Sequence, residues 1–212
     1  MYDKLETLVQ KKDIRKSEII EHPSYVSELA RYIMTDLKEF RKIQGDDTLG
    51  GMVICETSEQ ARRLYDVFQE EWQKYQPKPI KIKLSDGSYV VGEPEVDYKS
   101  KYRPLKAGII LHDTDDKETR KQIVKDFKKN MTVDILIVFN MLLTGFDAPR
   151  LKRLYFGRKL KDHNLLQAIT RVNRPYPGMR YGFVIDFADI KRNFKETNEA
   201  YLQELNRFND VE

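Results

Sequence analysis

The sequence has few of the features that mark secreted, membrane or metal-binding proteins. Its 212 residues include one cysteine, Cys55, which has no second cysteine for an internal disulfide. No apolar run approaches the roughly 18 residues of a membrane-spanning helix, and the N-terminal segment mixes acids and bases without the apolar centre of a signal peptide. The histidines His22, His112 and His163 lack metal-ligand spacing. We therefore expect a cytoplasmic domain with no membrane association and no metal site.

The chain also lacks the glycine-rich Walker A loop that binds nucleotide phosphates in many enzymes. The G-x-x-x-x-G segment Gly45–Gly50 is followed by Gly51 and Met52 instead of Lys and Ser or Thr, so it is not a Walker A loop. No Asp-Glu pair stands at the end of an apolar strand to hold Mg²⁺. If the domain serves a nucleotide, we expect the phosphate-binding loop to lie in another segment.

Positive charge is concentrated in one segment of the chain. The whole chain has 38 basic and 34 acidic residues, and its net charge of +4 is too small to indicate a nucleic-acid-binding protein. Residues 150–180 carry +8, because nine bases face one acid, Asp162, and the remainder carries −4. The nine bases are Arg150, Lys152, Arg153, Arg158, Lys159, Lys161, Arg171, Arg174 and Arg180. Such clustering is typical of a phosphate-binding face, although a solvated basic surface without a ligand has the same composition.

Hydrophobic periodicity predicts strands that alternate with helices. Apolar residues at 3/4 spacing predict a helix over 23–43, and Thr57 with Gln60 forms a capping box that begins a second helix. Further helices are expected at about 116–129, 164–174 and 190–208, and strands at 52–55, 107–111, 134–139, 154–156 and 182–187. This order predicts an α/β fold, a parallel sheet with helices on both faces. Ligands of such sheets bind beyond the carboxyl ends of the strands.

Four prolines and an alternating Tyr-Val-Val-Gly piece interrupt this alternation and indicate an irregular hairpin insertion at 77–105. The chain therefore divides into a lead-in and helix at 1–45, a main domain at 46–190 and a C-terminal helix at 191–212.

The insertion contains one pattern that nucleases use. Glu95, Asp97 and Lys99 form an acid-x-Lys step, which together with a second carboxylate such as Asp86 is suited to metal-assisted phosphodiester hydrolysis. Pro94 and the lack of a framing apolar strand argue against a nuclease site here.

Two segments carry the residues best suited to phosphate chemistry. The first, NMLLTGFDAPRL at 140–151, directly follows the strand predicted at 134–139. At Thr144-Gly145 backbone amides can approach a phosphate, and Asp147 can accept a hydrogen bond from a ribose hydroxyl. The same Gly-x-Asp-x-Pro pattern also occurs as plain turn chemistry.

The second segment, QAITRVNR at 167–174, lies on a predicted helix. Gln167, Arg171 and Arg174 fall at i, i+4 and i+7, so they project from one stripe of that helix. Guanidinium groups are always charged and bind oxygens in pairs, which suits a polyphosphate. The alternative is that both arginines pair with surface acids, although the preceding segment contains few of them.

These segments, taken in order with TSEQ, LHDTDD and YGFVIDF, resemble the second RecA-like lobe of superfamily 2 helicases and translocases. More narrowly, LLTGFDAPRL followed by HNLLQAITRVNR resembles the motor of the restriction (R) subunit of type I restriction-modification enzymes. The resemblance covers roughly residues 50–190. It implies a P-loop NTPase-like fold without its own P-loop.

The resemblance also implies roles for individual residues. Residues expected to contact the DNA backbone are Thr57, Ser58, Asn140 and Thr144. Residues expected to contact ATP are Gly145, Asp147, Gln167, Arg171 and Arg174. Arg171 and Arg174 are expected to be catalytic, and Arg174 would act as an arginine finger on the phosphates. The broader superfamily has Arg-Gly in place of Thr144-Gly145 and glycines between the two arginines, so this chain is closer to the restriction subunits than to RNA helicases.

A larger assembly follows from the same resemblance. The full-length enzyme is expected to be an ATP-dependent type I site-specific deoxyribonuclease that uses ATP and Mg²⁺ and translocates along double-stranded DNA. A first RecA-like lobe and a nuclease domain would belong to the same parent chain, and methylation and specificity subunits would complete the complex. We expect this fragment alone to bind no cofactor and to be inactive.

Two other functions are compatible with the residues. A non-catalytic RecA-like module would bind nucleic acid or a partner, but it would not need two arginines aimed at a nucleotide cleft. A stand-alone α/β enzyme for a phosphorylated small molecule would need a glycine-rich cradle and a general base, which the sequence does not offer, although the fold alone does not exclude it.

Overall fold

Five parallel strands form the central sheet of the domain. The computed structural model describes residues 16–75, 80–83, 88–92, 103–112, 116–141, 146–160 and 162–188. The strands are β1 (Gly50–Ile54), β2 (Ile80–Lys83), β3 (Tyr89–Gly92), β4 (Ala107–Ile110), β5 (Ile135–Val138), β6 (Leu151–Phe156) and β7 (Phe183–Asp186). The helices are α1 (Lys16–Ile20), α2 (Pro23–Gln44), α3 (Ser58–Tyr75), α4 (Lys117–Lys125) and α5 (Asp162–Val172). The order in the sheet is β4-β5-β1-β6-β7, and each neighbouring pair is parallel.

The two faces of this sheet are covered by separate apolar clusters. The α2 and α3 helices supply half of one cluster, and strand side chains such as Val53 and Ile137 supply much of the rest. The second cluster joins the opposite side chains of the same strands to α5 and to the buried rings of Phe127 and Phe146. All four residues of β5 are buried, as expected for a strand covered on both sides. The predicted α/β fold with helices on both faces is confirmed.

The residues at both ends of α2 explain where the helix begins and ends. The His22 imidazole accepts a hydrogen bond from the Ser24 N–H, and Pro23 occupies the first turn. Gly45 ends the helix at φ 67°, a left-handed conformation that favours glycine. Between these ends, the apolar residues at 3/4 spacing are buried as predicted.

The capping box at the start of α3 is present with one difference. The Gln60 N–H donates to the Thr57 hydroxyl over 3.0 Å, as predicted. The reciprocal bond runs from the Glu56 N–H to the Gln60 side-chain oxygen, one residue before the cap. Among the described residues, no helix has the length and apolar character needed to cross a bilayer.

The structure describes the predicted helix at 116–129 and part of the predicted insertion, whereas two other predicted features lie outside the described residues. β2 pairs antiparallel with β3, so a hairpin lies within the segment predicted to be an insertion. The helix predicted at 116–129 is α4, extended by a π-helical turn, Asp126–Asn130. The helix predicted at 190–208 and the acid-x-Lys segment with Asp86 lie outside the described residues.

The cysteine is buried after the end of β1. Cys55 is 1% exposed, and burial raises the pKa of its thiol to about 12. The thiolate is the reactive form of cysteine, so this side chain is suited to packing and not to nucleophilic chemistry.

The basic segment is where the structure departs most from the sequence analysis. β6 begins at Leu151, three residues earlier than predicted. Arg150 and Lys152 are buried, and Arg153 forms two hydrogen bonds with the Asp36 carboxylate on α2. The expectation that they belong to a phosphate-binding face is therefore wrong for these three residues, because Arg150 and Lys152 bind main-chain carbonyls inside the protein and Arg153 binds Asp36.

Arg150 and Asp134 connect the loops at the amino end of the sheet. Arg150 donates to the main-chain carbonyls of Thr48, Phe127 and Val133. Burial, followed by the nearby Arg41 charge, lowers the pKa of Arg150 to about 10. The Asp134 carboxylate, 3% exposed, accepts from Arg41 and Arg103 over 2.9 Å each and from the Lys106 N–H over 2.8 Å. Charge that the sequence suggested for ligand binding thus stabilises the fold.

Candidate functional site

The structure brings the two arginines of 167–174 to the segment that carries Asp147. Arg171 donates from Nη1 to the main-chain carbonyl of Phe146. Arg174 forms an ion pair with Asp147, with 2.6 Å between Nη1 and Oδ1. Residues 25 positions apart in the sequence therefore form one cluster, which we call the arginine cluster (Phe146, Asp147, Arg171 and Arg174).

The arginine cluster is open to solvent on one side. The side chains of Arg174 and Asp147 are 40% and 52% exposed, whereas Phe146 is buried. Burial and then the Arg174 charge lower the pKa of Arg171, and Asp147 raises it. Among the described residues, Arg171 and Arg174 lie beside the Asp147 carboxylate, so an anion that approaches from solvent meets two guanidinium groups. An exposed ion pair is weak in water, so an oligophosphate can replace Asp147 as the partner of Arg174.

One geometric expectation for this segment is wrong. α5 ends at Val172, so Arg174 lies in the turn beyond the helix and is not on the helical stripe at i+7. Gln167 and Arg171 do lie within α5, one turn apart. Arg174 reaches the cluster from the turn instead of from the helix.

Three of the predicted DNA-contacting residues, Thr57, Ser58 and Asn140, lie at the carboxyl ends of the strands, away from the arginine cluster. Thr57 and Ser58 follow β1, and Asn140 follows β5 with φ 54°. Arg158, which follows β6, donates to the Asn140 side-chain oxygen. β1 lies between β5 and β6 in the sheet, so these loops are neighbours at one edge.

The Thr57 hydroxyl is engaged within the protein. It donates to the Glu21 carboxylate over 2.6 Å and accepts from the Gln60 N–H. Ser58 is half-buried and begins α3, while Asn140 is exposed. Thr144 and Gly145 lie outside the described residues.

The two groups of residues lie at opposite ends of β6. Lys152, at the start of β6, contacts the main-chain carbonyls of Val172 and Arg174. Arg158 follows the other end of the strand. A strand of six residues is about 17 Å long, so this distance separates the two groups. Only the predicted DNA contacts lie at the carboxyl ends of the strands, where ligands of such sheets usually bind. α5 runs back along the sheet and carries its C-terminal end, with the arginines, to the amino end of β6.

Sequence reasoning missed two residues that the structure places next to these groups. Arg158 belongs to the basic segment, but charge alone did not distinguish it from Arg150 or Arg153. Lys152 had no distinguishing signal, because only the register of β6 shows where its side chain goes. Within the part of the chain that the structure describes, no group of three His, Cys, Asp or Glu residues has the arrangement of a metal site.

Comparison with known proteins assigns this sequence to a family. The sequence profile of type I restriction enzyme subunit R domain 3 matches residues 48–189. The chain belongs to the type I restriction enzyme R-subunit family. The match includes every residue of the arginine cluster and the loops after β1, β5 and β6.

Individual relatives agree with this assignment. A Methanocaldococcus jannaschii protein described as the MjaVIIIP endonuclease subunit of a type I restriction enzyme is 30% identical over 209 residues, which cover 92% of this chain and 19% of that protein. The SauCOLORF180P endonuclease subunit of Staphylococcus aureus strain COL is 40% identical over 90 residues, 42% of this chain and 9% of that protein. The R-subunit domain thus spans less than a fifth of the length of these relatives.

A solved structure shows the same fold. Domain 2 of the DEAD-box helicase Mss116p, bound to an RNA duplex, aligns with a TM-score of 0.51 at 15% identity, over 84% of this chain and 56% of that chain. The R-subunit domain therefore has the fold of a second RecA-like helicase lobe, as predicted.

Proposed function

We propose that the R-subunit domain is the second lobe of an ATP-driven double-stranded DNA translocase and supplies half of its ATP site. The observation that carries this proposal is the arginine cluster, in which Arg171 and Arg174 meet the Asp147 segment on a RecA-like fold. The family profile numbers this region as domain 3, which agrees with a nuclease domain and a first lobe that precede it in a full-length subunit.

The residues of the arginine cluster fit the phosphates of a nucleotide. Arg174 is half-exposed with one carboxylate partner, and guanidinium groups bind phosphate oxygens in pairs. When bound, ATP supplies a phosphoanhydride bond whose cleavage places negative charge on the departing phosphoryl oxygens. Arg174 is positioned to stabilise that charge, as an arginine finger does, and Arg171 to bind the same phosphates. We assign Mg²⁺ to the first lobe, because P-loop NTPases hold this ion with the Walker A Ser or Thr and the Walker B Asp, and this sequence has neither segment.

DNA is proposed to lie along the carboxyl edge of the sheet. Asn140 and Arg158 offer an amide and a guanidinium at this edge, and the loop with Thr57 and Ser58 lies beside them. Such groups bind phosphate oxygens without reading bases, which suits a motor that passes over any sequence.

The first test is reconstitution with a first lobe. The R-subunit domain alone is expected to show no ATP hydrolysis above background, because it lacks a Walker A loop. Joined to a first lobe with that loop, in the order of a full-length R subunit, it should show ATP hydrolysis that duplex DNA stimulates. Phosphate release with and without DNA measures this. A reconstituted protein that binds DNA but does not hydrolyse ATP would favour the non-catalytic module instead.

The second test concerns Arg158 and DNA. Arg158→Gln in the two-lobe protein should weaken duplex binding several-fold at 0.1 M salt and reduce the slope of log K against log salt by about 0.9, the value for one phosphate contact. Fluorescence anisotropy with a labelled duplex over a salt series measures both quantities. The control is Arg31→Gln, since Arg31 is an exposed arginine on α2 that pairs with Glu28. Equal slopes for Arg158→Gln and the parent protein would contradict an Arg158 phosphate contact.

A further inference from the structure

Lys152 occupies an irregular position in β6. Gly50 of β1 pairs with Leu151, and the next residue, Gly51, pairs with Arg153. Lys152 therefore has no counterpart on β1 and lies at an irregularity in the pairing of the two strands, of the kind that a β-bulge produces. Bulges redirect side chains and occur often beside functional sites. Lys152 is 0% exposed, which is unusual for a lysine.

The ammonium group of Lys152 contacts the end of α5. Its Nζ donates to the main-chain carbonyl of Arg174 and, over 3.4 Å, to that of Val172. The last carbonyls of a helix lack partners within the helix and carry partial negative charge. A lysine at this place therefore satisfies the carbonyls of the turn that carries Arg174 from inside the protein.

The buried ammonium group of Lys152 needs its carbonyl partners to stay in place. A charged group removed from water is stable only where polar partners stay within hydrogen-bond distance, and burial lowers the pKa of Lys152. A displacement of the 172–174 main chain would leave the ammonium without these carbonyls. The charge of Lys152 thus restricts where the turn can lie.

The same turn is confined from a second side. A Cβ added at Gly182, just before β7, would lie 2.5 Å from the Val172 carbonyl oxygen and 3.0 Å from the Lys152 carbonyl oxygen. Only a residue without a side chain allows β7 to approach the end of α5 this closely. The main chain at Val172 is therefore enclosed between Lys152 and Gly182.

We propose that Lys152 is a positioning residue for Arg174. Its ammonium holds the main chain of residues 172–174 so that the Arg174 guanidinium reaches the arginine cluster. This inference rests on the proposed function. The sequence alone does not distinguish Lys152 from the other basic residues of 150–180. Lys152 itself does not touch the nucleotide, because it is wholly buried beneath the turn.

The test uses Lys152→Met in the two-lobe R-subunit motor, since methionine retains the length and apolar stem without the charge. We expect kcat of the DNA-stimulated ATPase to fall about tenfold or more, whereas KM for ATP and the Kd for DNA stay within about twofold. In a double variant with Arg174→Ala, Lys152→Met should cause no additional loss, because a residue that acts through Arg174 has nothing to position once Arg174 is removed. Single-turnover release of labelled phosphate provides the sensitivity for this comparison.

Tyr155→Phe is the matched control for lost stability. Tyr155 lies on the same strand, faces α2 and donates to the Asp36 carboxylate over 2.8 Å. Its loss removes a buried hydrogen bond from β6 and should lower Tm while kcat is retained. If Lys152→Met does not fold, Gly182→Ala displaces the Val172 carbonyl without removing a charge, and it should show the same loss of kcat and the same lack of additivity.

Three results separate the possible failures. A normal kcat in folded Lys152→Met, or in Gly182→Ala where Lys152→Met does not fold, would overturn the positioning role. Losses that multiply with that of Arg174→Ala would also overturn it, because they indicate a general structural effect. ATP turnover that survives Arg174→Ala would instead overturn the proposed function, and the positioning role with it.

Discussion

Arg174→Ala in the assembled two-lobe motor is expected to lower DNA-stimulated ATP turnover by about 10³-fold or more. Arginine fingers contribute about 10³–10⁵ in kcat, and a 10³-fold loss corresponds to about 4 kcal/mol of transition-state stabilisation. Arg174 is suited to this role because its guanidinium is half-exposed and paired with an exposed carboxylate, Asp147. The effect should appear in kcat more than in KM for ATP, since the charge that Arg174 stabilises develops only as the phosphoryl group departs.

Arg180→Ala is the matched control for this experiment. Arg180 belongs to the same basic segment and is exposed, and its removal changes the net charge by the same amount. Steady-state phosphate release over a range of ATP concentrations separates kcat from KM for both variants. Turnover in Arg174→Ala within tenfold of the parent motor would contradict the assignment of Arg174 as the arginine finger.

Asp134→Ala is expected to lower the free energy of unfolding by about 3–5 kcal/mol, the range measured when one partner of a buried ion pair is removed. The Asp134 carboxylate accepts hydrogen bonds from Arg41 and Arg103 and from the Lys106 N–H. Its loss leaves the guanidinium of Arg41, 8% exposed, without its carboxylate inside the protein. This loss is a large fraction of the 5–15 kcal/mol that holds a typical domain folded.

Urea denaturation followed by tryptophan fluorescence measures this change. Trp72 is the single tryptophan, and the Arg103 guanidinium lies 5.7 Å from the centre of its ring, so its emission reports on the same region. Glu28→Ala is the control, because Glu28 pairs with Arg31 at the surface, where both side chains are more than 60% exposed. An exposed pair contributes about 0–1 kcal/mol. A loss below about 1 kcal/mol for Asp134→Ala would show that the amino end of the sheet does not depend on this carboxylate.

The order of strands and helices could be predicted from the sequence because local patterns determine it. The apolar spacing in 23–43 and the continuous apolar run in β5 each indicate one element and its degree of burial. The exception is β6, whose sequence LKRLYF mixes cations with apolar residues. A cation becomes acceptable in a buried strand only through distant partners, such as Asp36 for Arg153, 117 positions away. Charge along the chain therefore could not distinguish fold-stabilising cations from ligand-binding ones.

The candidate site could be predicted as a set of residues but not as an arrangement. The resemblance to helicase motors implied that Asp147, Arg171 and Arg174 contact one nucleotide, and the structure places them in one cluster. Their position at the amino end of β6 depends on the length of α5, and the path of Arg174 depends on a turn beyond Val172. Neither can be derived from residue types alone. The irregular pairing at Lys152 depends on how β6 aligns with β1, which is a property of two strands about 100 residues apart.

β6 connects the arginine cluster to the loop with Arg158, and its neighbours hold it on both sides. Hydrogen bonds to β1 and β7 prevent it from stretching or bending appreciably. When one end of such a strand is displaced, the other end is therefore expected to move with it. Under the proposed function, the energy of a nucleotide cycle would then not be absorbed as deformation inside this lobe. In the proposed two-lobe motor, β6 would therefore act as a rigid connection between the arginine cluster and the loop with Arg158.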